Sequence, residues 1–498
     1  MGSSFLKPLS VENTVSVMRP ISWVILALCA FALLAVLSDF RVVMGDEAAY
    51  ADPALRWHDG LGFTSIAWEQ ASNQLWASNC PLYALVLSGW LTMTGLDSLW
   101  GLRALSVLLY FVGISLWTIG CRRAGWFQSA LQEAGFIGLL LGSLYATAPS
   151  QYIRPEALGV ALLGFALLGQ TATGARSRAL AAFASGFLAV LAGFQFVVAL
   201  GVFGCAWFVV AEEKPWSTLV LYGLGGLAGS IALLVVYSWA GVLDVFFHAT
   251  FGSSGNRMAQ WHGWRDPMLW AGSLFLLAGL IFRLWPAREK RWAVAALLSG
   301  PGLAMVFFAL SKFPQYYAPL AVIPLCTGVA AVFPVLSPTL RPSAVVFLAV
   351  AGMVGFPLSA LMNWNLMPAR LHGSLQEWTR ETLRGSKSAF VDPSVYFAAR
   401  GSGAQVYTQF VLNTLSAEEV AGIDAVVLSS SHSLSYLQPQ SVLGRLGGYW
   451  EIVGLYPPAG HVGPRFPALE FLTRLSYAPS YQFQTWRRVP VGAAGKGE

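Results

Sequence analysis

Eleven long apolar runs dictate what this chain can become. They lie at 20–39, 100–120, 130–149, 156–173, 179–194, 196–211, 217–240, 267–285, 291–311, 315–335 and 341–362. A bilayer-spanning helix needs about 20 such residues. In hydrocarbon no water can satisfy backbone N–H and C=O groups, so these runs must be helices. Charged residues make up 11% and hydrophobic residues 56% of the 498 positions. An ordinary soluble domain carries about 25% charge, so the chain is expected to be a polytopic membrane protein.

The net charge of +6 then reports orientation rather than nucleic-acid binding. A twelfth apolar stretch, "PLYALVLSGWLTMTG" at 81–95, decides the parity. Left out of the count, with the N-terminus inside, it lets "CRRAGWFQ", "TGARSR", "EEKPW", "FRLWPAREKRW" and "SPTLRP" all face the cytoplasm, as the positive-inside rule requires. Counted as a span, it turns every one of them outward. We therefore expect 81–95 to lie at the outer interface, where Tyr83, Trp90 and Trp100 are suited to sit. Residues 1–362 form the transmembrane module, with 40–99 as a long first external loop, and 363–498 are left outside.

The tail reads differently. "AFVDPSVYFAA", "IDAVVLSSS", "YWEIVGLYPP" and "YQFQTWRRVP" have strand character. "LNTLSAEEVAG" reads as a short helix with Ser416 as its cap and Gly422 as its stop. Strands alternating with helices predict a small extracytoplasmic α/β domain. Arg487 and Arg488 near its end read as a solvated pair. The five cysteines form no CxxC pair, and the histidines show no zinc-site spacing.

Polar chemistry concentrates in the external segments. "MGDEAAYADPALRWHDG" at 44–60 holds Asp46, Glu47, Asp52 and Asp59. Asp52 before Pro53 is expected to cap a short helix over 53–59, with Asp59 a solvated end. Asp46 is then either a cap itself or free for chemistry. Arg154 and Glu156 in "YIRPEAL" stand at the end of a span; charges at membrane depth are costly and mark sites, unless they form a surface pair of little worth. Lys312 in "SKFPQYY" is either a snorkelling lysine or part of the same site. Together these residues offer carboxylates to take a proton from a hydroxyl and cations to hold a phosphate.

Four stretches taken in order, "GDEAAYADPALR", "NCPLYALVLSGWLTMTGLDSLWGLRALSVLLYFVG", "RRAGWFQSALQEAGFIGLLLGSLYATAPSQYIRPEALGVALL" and "SKFPQYYAPLAVIPL", resemble the polytopic GT-C glycosyltransferases. The nearest branches are the protein O-mannosyltransferase and lipid A aminoarabinose transferase group. The resemblance spans about residues 20–335. It implies transfer of a sugar from a polyprenyl-phosphate donor to an acceptor glycan, lipid or protein at the outer face of a bacterial cytoplasmic membrane. It implies Asp46 as catalytic base with Glu47 beside it, and Glu156 as a second acid near the acceptor or a metal. It places Arg154, Lys312, Tyr316 and Tyr317 at the donor phosphate. Some relatives use a divalent ion, for which this sequence shows no ligand set. Two departures stand out: Asn79-Cys80-Pro81-Leu82 lacks the cation that many relatives carry before the interfacial helix, and Pro53 interrupts what is usually a continuous helix. A transporter of lipid-linked sugars is the alternative class. It should show internal repeats and broken helices at mid-membrane, whereas these charges gather at one face.

Overall fold

The computed structural model of the protein describes residues 41–211, 216–252, 262–310, 313–429, 438–457, 465–469 and 481–489. The expected span 20–39 and Lys312 lie outside the described residues. Two helices precede the first described span: α1 (Gly45–His58) and α2 (Pro81–Thr94). With 14 residues, α2 falls short of the about 20 needed to cross a bilayer. The bundle follows as α3 (Leu99–Arg123), α4 (Ala130–Gly142), α5 (Pro155–Gln170), α6 (Ala175–Ala192), α7 (Phe194–Val210), α8 (Trp216–Trp239), α9 (Pro267–Ile281), α10 (Ala287–Ser299), α11 (Pro301–Ala309), α12 (Ala318–Val332), α13 (Arg341–Val354) and α14 (Phe356–Leu366).

Every expected run within the described residues is thus helical, though with different bounds. Among the described residues, six stretches are long and apolar enough to cross a membrane: Leu99–Arg123, Ala175–Ala192, Trp216–Trp239, Ala287–Ala309, Gln315–Val335 and Arg341–Leu366. Pro301 restarts the helix after Gly300, because proline fits the first helical turn but not the interior. The expected span 130–149 is cut short at Gly142. Asp266 caps α9 through the Met268 N–H at 2.9 Å, and its other oxygen accepts from Ser143 Oγ and the Tyr145 N–H at 2.5 and 2.9 Å. That carboxylate fixes 143–145 as a bend. The apolar residues beyond it are buried in protein, the condition under which irregular backbone is tolerated at such depth. Burial also ranks the helices: 83% of the Gln315–Val335 window is inside the protein against 17% of Trp216–Trp239. The helix that follows Tyr316 and Tyr317 is therefore central, and α8 is peripheral.

One close helix crossing carries the N-terminus of α5. A Cβ on Gly164 would stand 2.3 Å from the Gly113 carbonyl oxygen, and one on Gly113 would stand 2.6 Å from the Ala161 backbone N. Small residues at such crossings let transmembrane backbones meet.

The tail forms α15 (His372–Thr382), β1 (Ser388–Val391), α16 (Tyr396–Arg400), β2 (Gln405–Thr408), α17 (Ala417–Gly422), β3 (Ala425–Ser429), α18 (Pro439–Leu446), β4 (Tyr449–Tyr456) and β5 (Phe483–Val489). The sheet order is β2-β1-β3-β5-β4, parallel from β2 to β3 and antiparallel from there. Ser416 caps α17, as read from the sequence; Glu419 caps it reciprocally, and the helix ends on Gly422. Three expectations change. "AFVDPSVYFAA" is strand only to Val391, because Asp392 accepts the Ser394 N–H and turns the chain into α16. β2, four residues long, was not foreseen. Arg487 and Arg488 are not a solvated pair: they donate to the carbonyls of Thr382, Arg384, Ala421, Val420 and Leu446.

The tail rests on the 41–98 segment, and this overturns the expected cap at Asp52. α1 runs unbroken through Pro53. The fully buried Asp52 carboxylate accepts from Ser65 Oγ and the Ile66 N–H at 2.7 Å each and from Tyr396 Oη at 2.5 Å. A proline inside a helix costs about 3 kcal/mol; burial of the flanking residues and three hydrogen bonds to a carboxylate offset it. Asp59 is likewise not a simple solvated end, because it forms an ion pair with Arg400.

Two predictions follow from these contacts. Gly164→Val must separate α3 from α5 and should destabilise the purified protein by about 2 kcal/mol or more, read as a lowered melting temperature in detergent. Asp392 is buried, and burial pushes its carboxyl up to about 6, against opposing hydrogen bonds from Ser394 and the Ser429 backbone. The folded tail therefore favours the protonated acid. That stabilisation is full below about pH 4 and is lost as pH rises through about 6, on the order of 3 kcal/mol. A melting series from pH 4.5 to 8 should show this loss, and Asp392→Asn should flatten it.

Candidate active site

The first turn of α1 points two neighbouring carboxylates in different directions, since successive helical residues are about 100° apart. Glu47 turns inward and is fully buried. Arg103 clasps it in two-point fashion, Nε to Oε1 at 2.9 Å and Nη2 to Oε2 at 2.7 Å. The Met44 and Ile153 N–H groups complete its shell, each at 2.9 Å. Glu47 thus ties α1 to α3 and to the strand of chain before α5. The Arg103 guanidinium also reaches the Arg41 carbonyl at 3.0 Å.

Asp46 turns the other way. Arg154 Nη1 donates to Asp46 Oδ2 at 2.7 Å, and Arg154 Nε donates to Glu156 Oε2 at 3.0 Å. Tyr316 lies over the guanidinium, 3.6 Å from ring centre to Cζ, and Tyr50 stands at 5.5 Å. Such stacking suits the planar, weakly hydrated guanidinium. Tyr317 packs edge-on against Tyr316 at 5.1 Å. Asp46 and Glu156 were expected at one membrane level from separate segments; the structure brings both onto a single arginine. The three acids differ in access: side-chain exposure is 34% for Asp46, 2% for Glu156 and 0% for Glu47. Asp46 also sits at a helix N-terminus, where the macrodipole favours a carboxylate.

The surrounding groups are held neutral or charged by burial and partners. Burial lowers the Arg154 pKa, but Glu156 and Asp46 more than reverse this, and the net shift is upward. Burial pushes the Tyr50 phenol well above its usual value, keeping it a proton donor. Cys80, directly before α2, is buried, and its thiol is pushed up to about 12. It is therefore a neutral filler rather than a nucleophile. Among the described residues, no three His, Cys, Asp or Glu gather as a metal site.

Sequence reasoning missed Arg103 and Tyr50; Tyr83, expected as an interfacial aromatic, is instead fully buried, and its hydroxyl meets Ser106 Oγ at 2.8 Å. Arg103 had a signal, since an arginine inside an apolar run is rare and paired. Tyr50 carries none, because an aromatic on a helix beside a core is ordinarily part of that core.

A many-helix bundle, two helices ahead of its first described span and a small C-terminal sheet resting on that segment make up the architecture. Solved structures share it. The crystal structure of ArnT from Cupriavidus metallidurans bound to undecaprenyl phosphate superposes with a TM-score of 0.60 at 15% identity, covering 94% of this chain and 98% of that one. The apo form of the same protein gives 0.57 over the same shares. No protein-family model matches the sequence, and no curated protein matches it either.

Glu47 and Asp46 should separate cleanly by mutation. Breaking a buried pair costs about 3–5 kcal/mol, so Glu47→Gln and Arg103→Met should each lower the melting temperature markedly. Asp46→Asn should leave it nearly unchanged.

Proposed function

We propose that the protein is a membrane glycosyltransferase that moves a sugar from a polyprenyl-phosphate donor to an acceptor hydroxyl, in a bacterial cytoplasmic membrane with its C-terminal domain on the outer side. The observation that carries this reading is the half-accessible Asp46, held by a buried Arg154 that it shares with Glu156, in the fold of a protein solved with undecaprenyl phosphate.

In this mechanism Asp46 takes the proton of the acceptor hydroxyl as general base. The oxygen attacks the anomeric carbon from the face opposite the phosphate. The new C–O bond forms as the bond from that carbon to the phosphate oxygen breaks, and the electron pair leaves with the lipid phosphate. One displacement inverts the sugar carbon. Arg154 and Glu156 orient Asp46. We assign Lys312, Tyr316 and Tyr317 to the donor phosphate; the Arg154 side chain, 1% exposed and bonded to Asp46 and Glu156, stays the positioning cation of the base. Glu47 acts at a distance, as the residue that anchors α1.

The test is transfer from a panel of labelled undecaprenyl-phosphate sugars by purified protein in proteoliposomes, with release of the lipid phosphate as readout. Asp46→Asn should lower turnover about 10²–10⁴-fold, the usual contribution of a positioned base, with little change in melting temperature. Full transfer by that variant would overturn the mechanism.

A further inference from the structure

Behind α1, on the face away from Asp46, lies a second cavity of about 930 Å³. Asp52, Arg56 and Asp59 line it from α1, at the four- and three-residue steps that share a helix face. The opposite wall comes from the start of α3 and from the C-terminal domain: Asp97, Trp100, Gln376, Arg400 and Gln405. Its size is that of a ligand pocket rather than a packing gap.

The lining indicates what would fit. Asp52, Asp59 and Asp97 face Arg56 and Arg400, so a compact anion meets no net cationic field. A lipid chain is better served elsewhere, for instance in the apolar cavity bordered by Leu85, Met93 and Val236. The groups here supply acceptors (carboxylates, amide oxygens) and donors (guanidinium, amide N–H) side by side. Some are already engaged: Asp52 by Tyr396, Ser65 and Ile66, Asp59 by Arg400, and Gln405 by Tyr407. The Asp97 side chain is exposed and Gln376 is half-buried, and both line the cavity. Trp100 turns out an indole that is 47% exposed. Adjacent hydroxyl donors and acceptors, with a C–H face to lie on an aromatic ring, are the chemistry of a sugar.

We infer that this cavity binds a neutral oligosaccharide segment, the part of a glycan acceptor remote from the reacting hydroxyl. Its role as acceptor site rests on the transferase reading. Arg56 stands ten residues along α1 from Asp46, about 15 Å at 1.5 Å per residue. A glycan held here reaches the base by extending over the end of the helix, so the cavity selects acceptors that are chains rather than single sugars.

The test uses the full-length protein in nanodiscs, wild type and Asp46→Asn, titrated with maltopentaose, mannopentaose and chitopentaose, with inorganic phosphate as the anionic probe. Calorimetry and hydrogen–deuterium exchange are the readouts. At least one pentasaccharide should bind saturably to both proteins and protect residues 97–100 and 396–406. Trp100→Ala and Asp97→Asn, both at exposed positions, should each weaken binding about tenfold. The inference is overturned if no pentasaccharide saturates the protein by about 10 mM, if only phosphate binds, or if binding is unchanged in both cavity variants. Pentasaccharide binding together with full transfer by Asp46→Asn would sink the mechanism and leave the cavity standing. Loss of transfer by Asp46→Asn with no pentasaccharide bound would do the reverse.

Discussion

Glu47 and Arg103 form a fully buried ion pair whose lone pairs and protons are nearly all spent on one another and on three backbone groups. Two charges taken out of water are tolerated only when so fully paired. The consequence is positional. The pair anchors the first turn of α1 to α3, and through the Ile153 N–H to the segment that carries Arg154 and Glu156. Asp46 has its place because Glu47 has no freedom. The two adjacent acids therefore divide the labour: one is buried and holds, the other is half-exposed and can act.

A second carboxylate repeats the device midway along the same helix. Asp52 gathers Ser65, Ile66 and Tyr396, so the C-terminal domain is hung on the helix that bears the candidate base. Asp392 caps the turn that leads into Tyr396. The chain thus joins membrane bundle, first-loop helix and sheet through a few buried acids, and hydrophobic packing does the rest.

Legibility tracked the range of the interactions. Length and apolarity announced the helices, and the capped α17 was plain because Ser416 and Gly422 bracket it within a few residues. Asp52-Pro53 misled for the same reason. Locally it is a cap followed by a favoured first-turn proline, and only partners beyond the helix, Ser65, Ile66 and, 344 residues away, Tyr396, reveal that the carboxylate is spent elsewhere. The run 130–149 misled too, because hydropathy cannot tell a lipid-facing residue from one buried in protein, and the bend at Ser143 is made by the distant Asp266. Among the site residues, Asp46, Arg154 and Glu156 were legible as isolated charges beside apolar runs. That one arginine serves both acids was not, since no spacing rule links residue 46 to residue 154.

By itself, then, the sequence determined that the chain is a helical membrane bundle with an acid-rich first loop and a mixed α/β tail, because transfer of apolar residues out of water is a property of each segment alone. It also marked Asp46, Arg154 and Glu156 as polar residues too costly to be incidental. Only the tertiary structure decided which acid is sequestered and which remains open, that Pro53 continues a helix, and that tail and loop enclose a polar cavity. Those outcomes depend on hydrogen-bond partners far apart in the chain, and a partner's position exists only once the chain has folded.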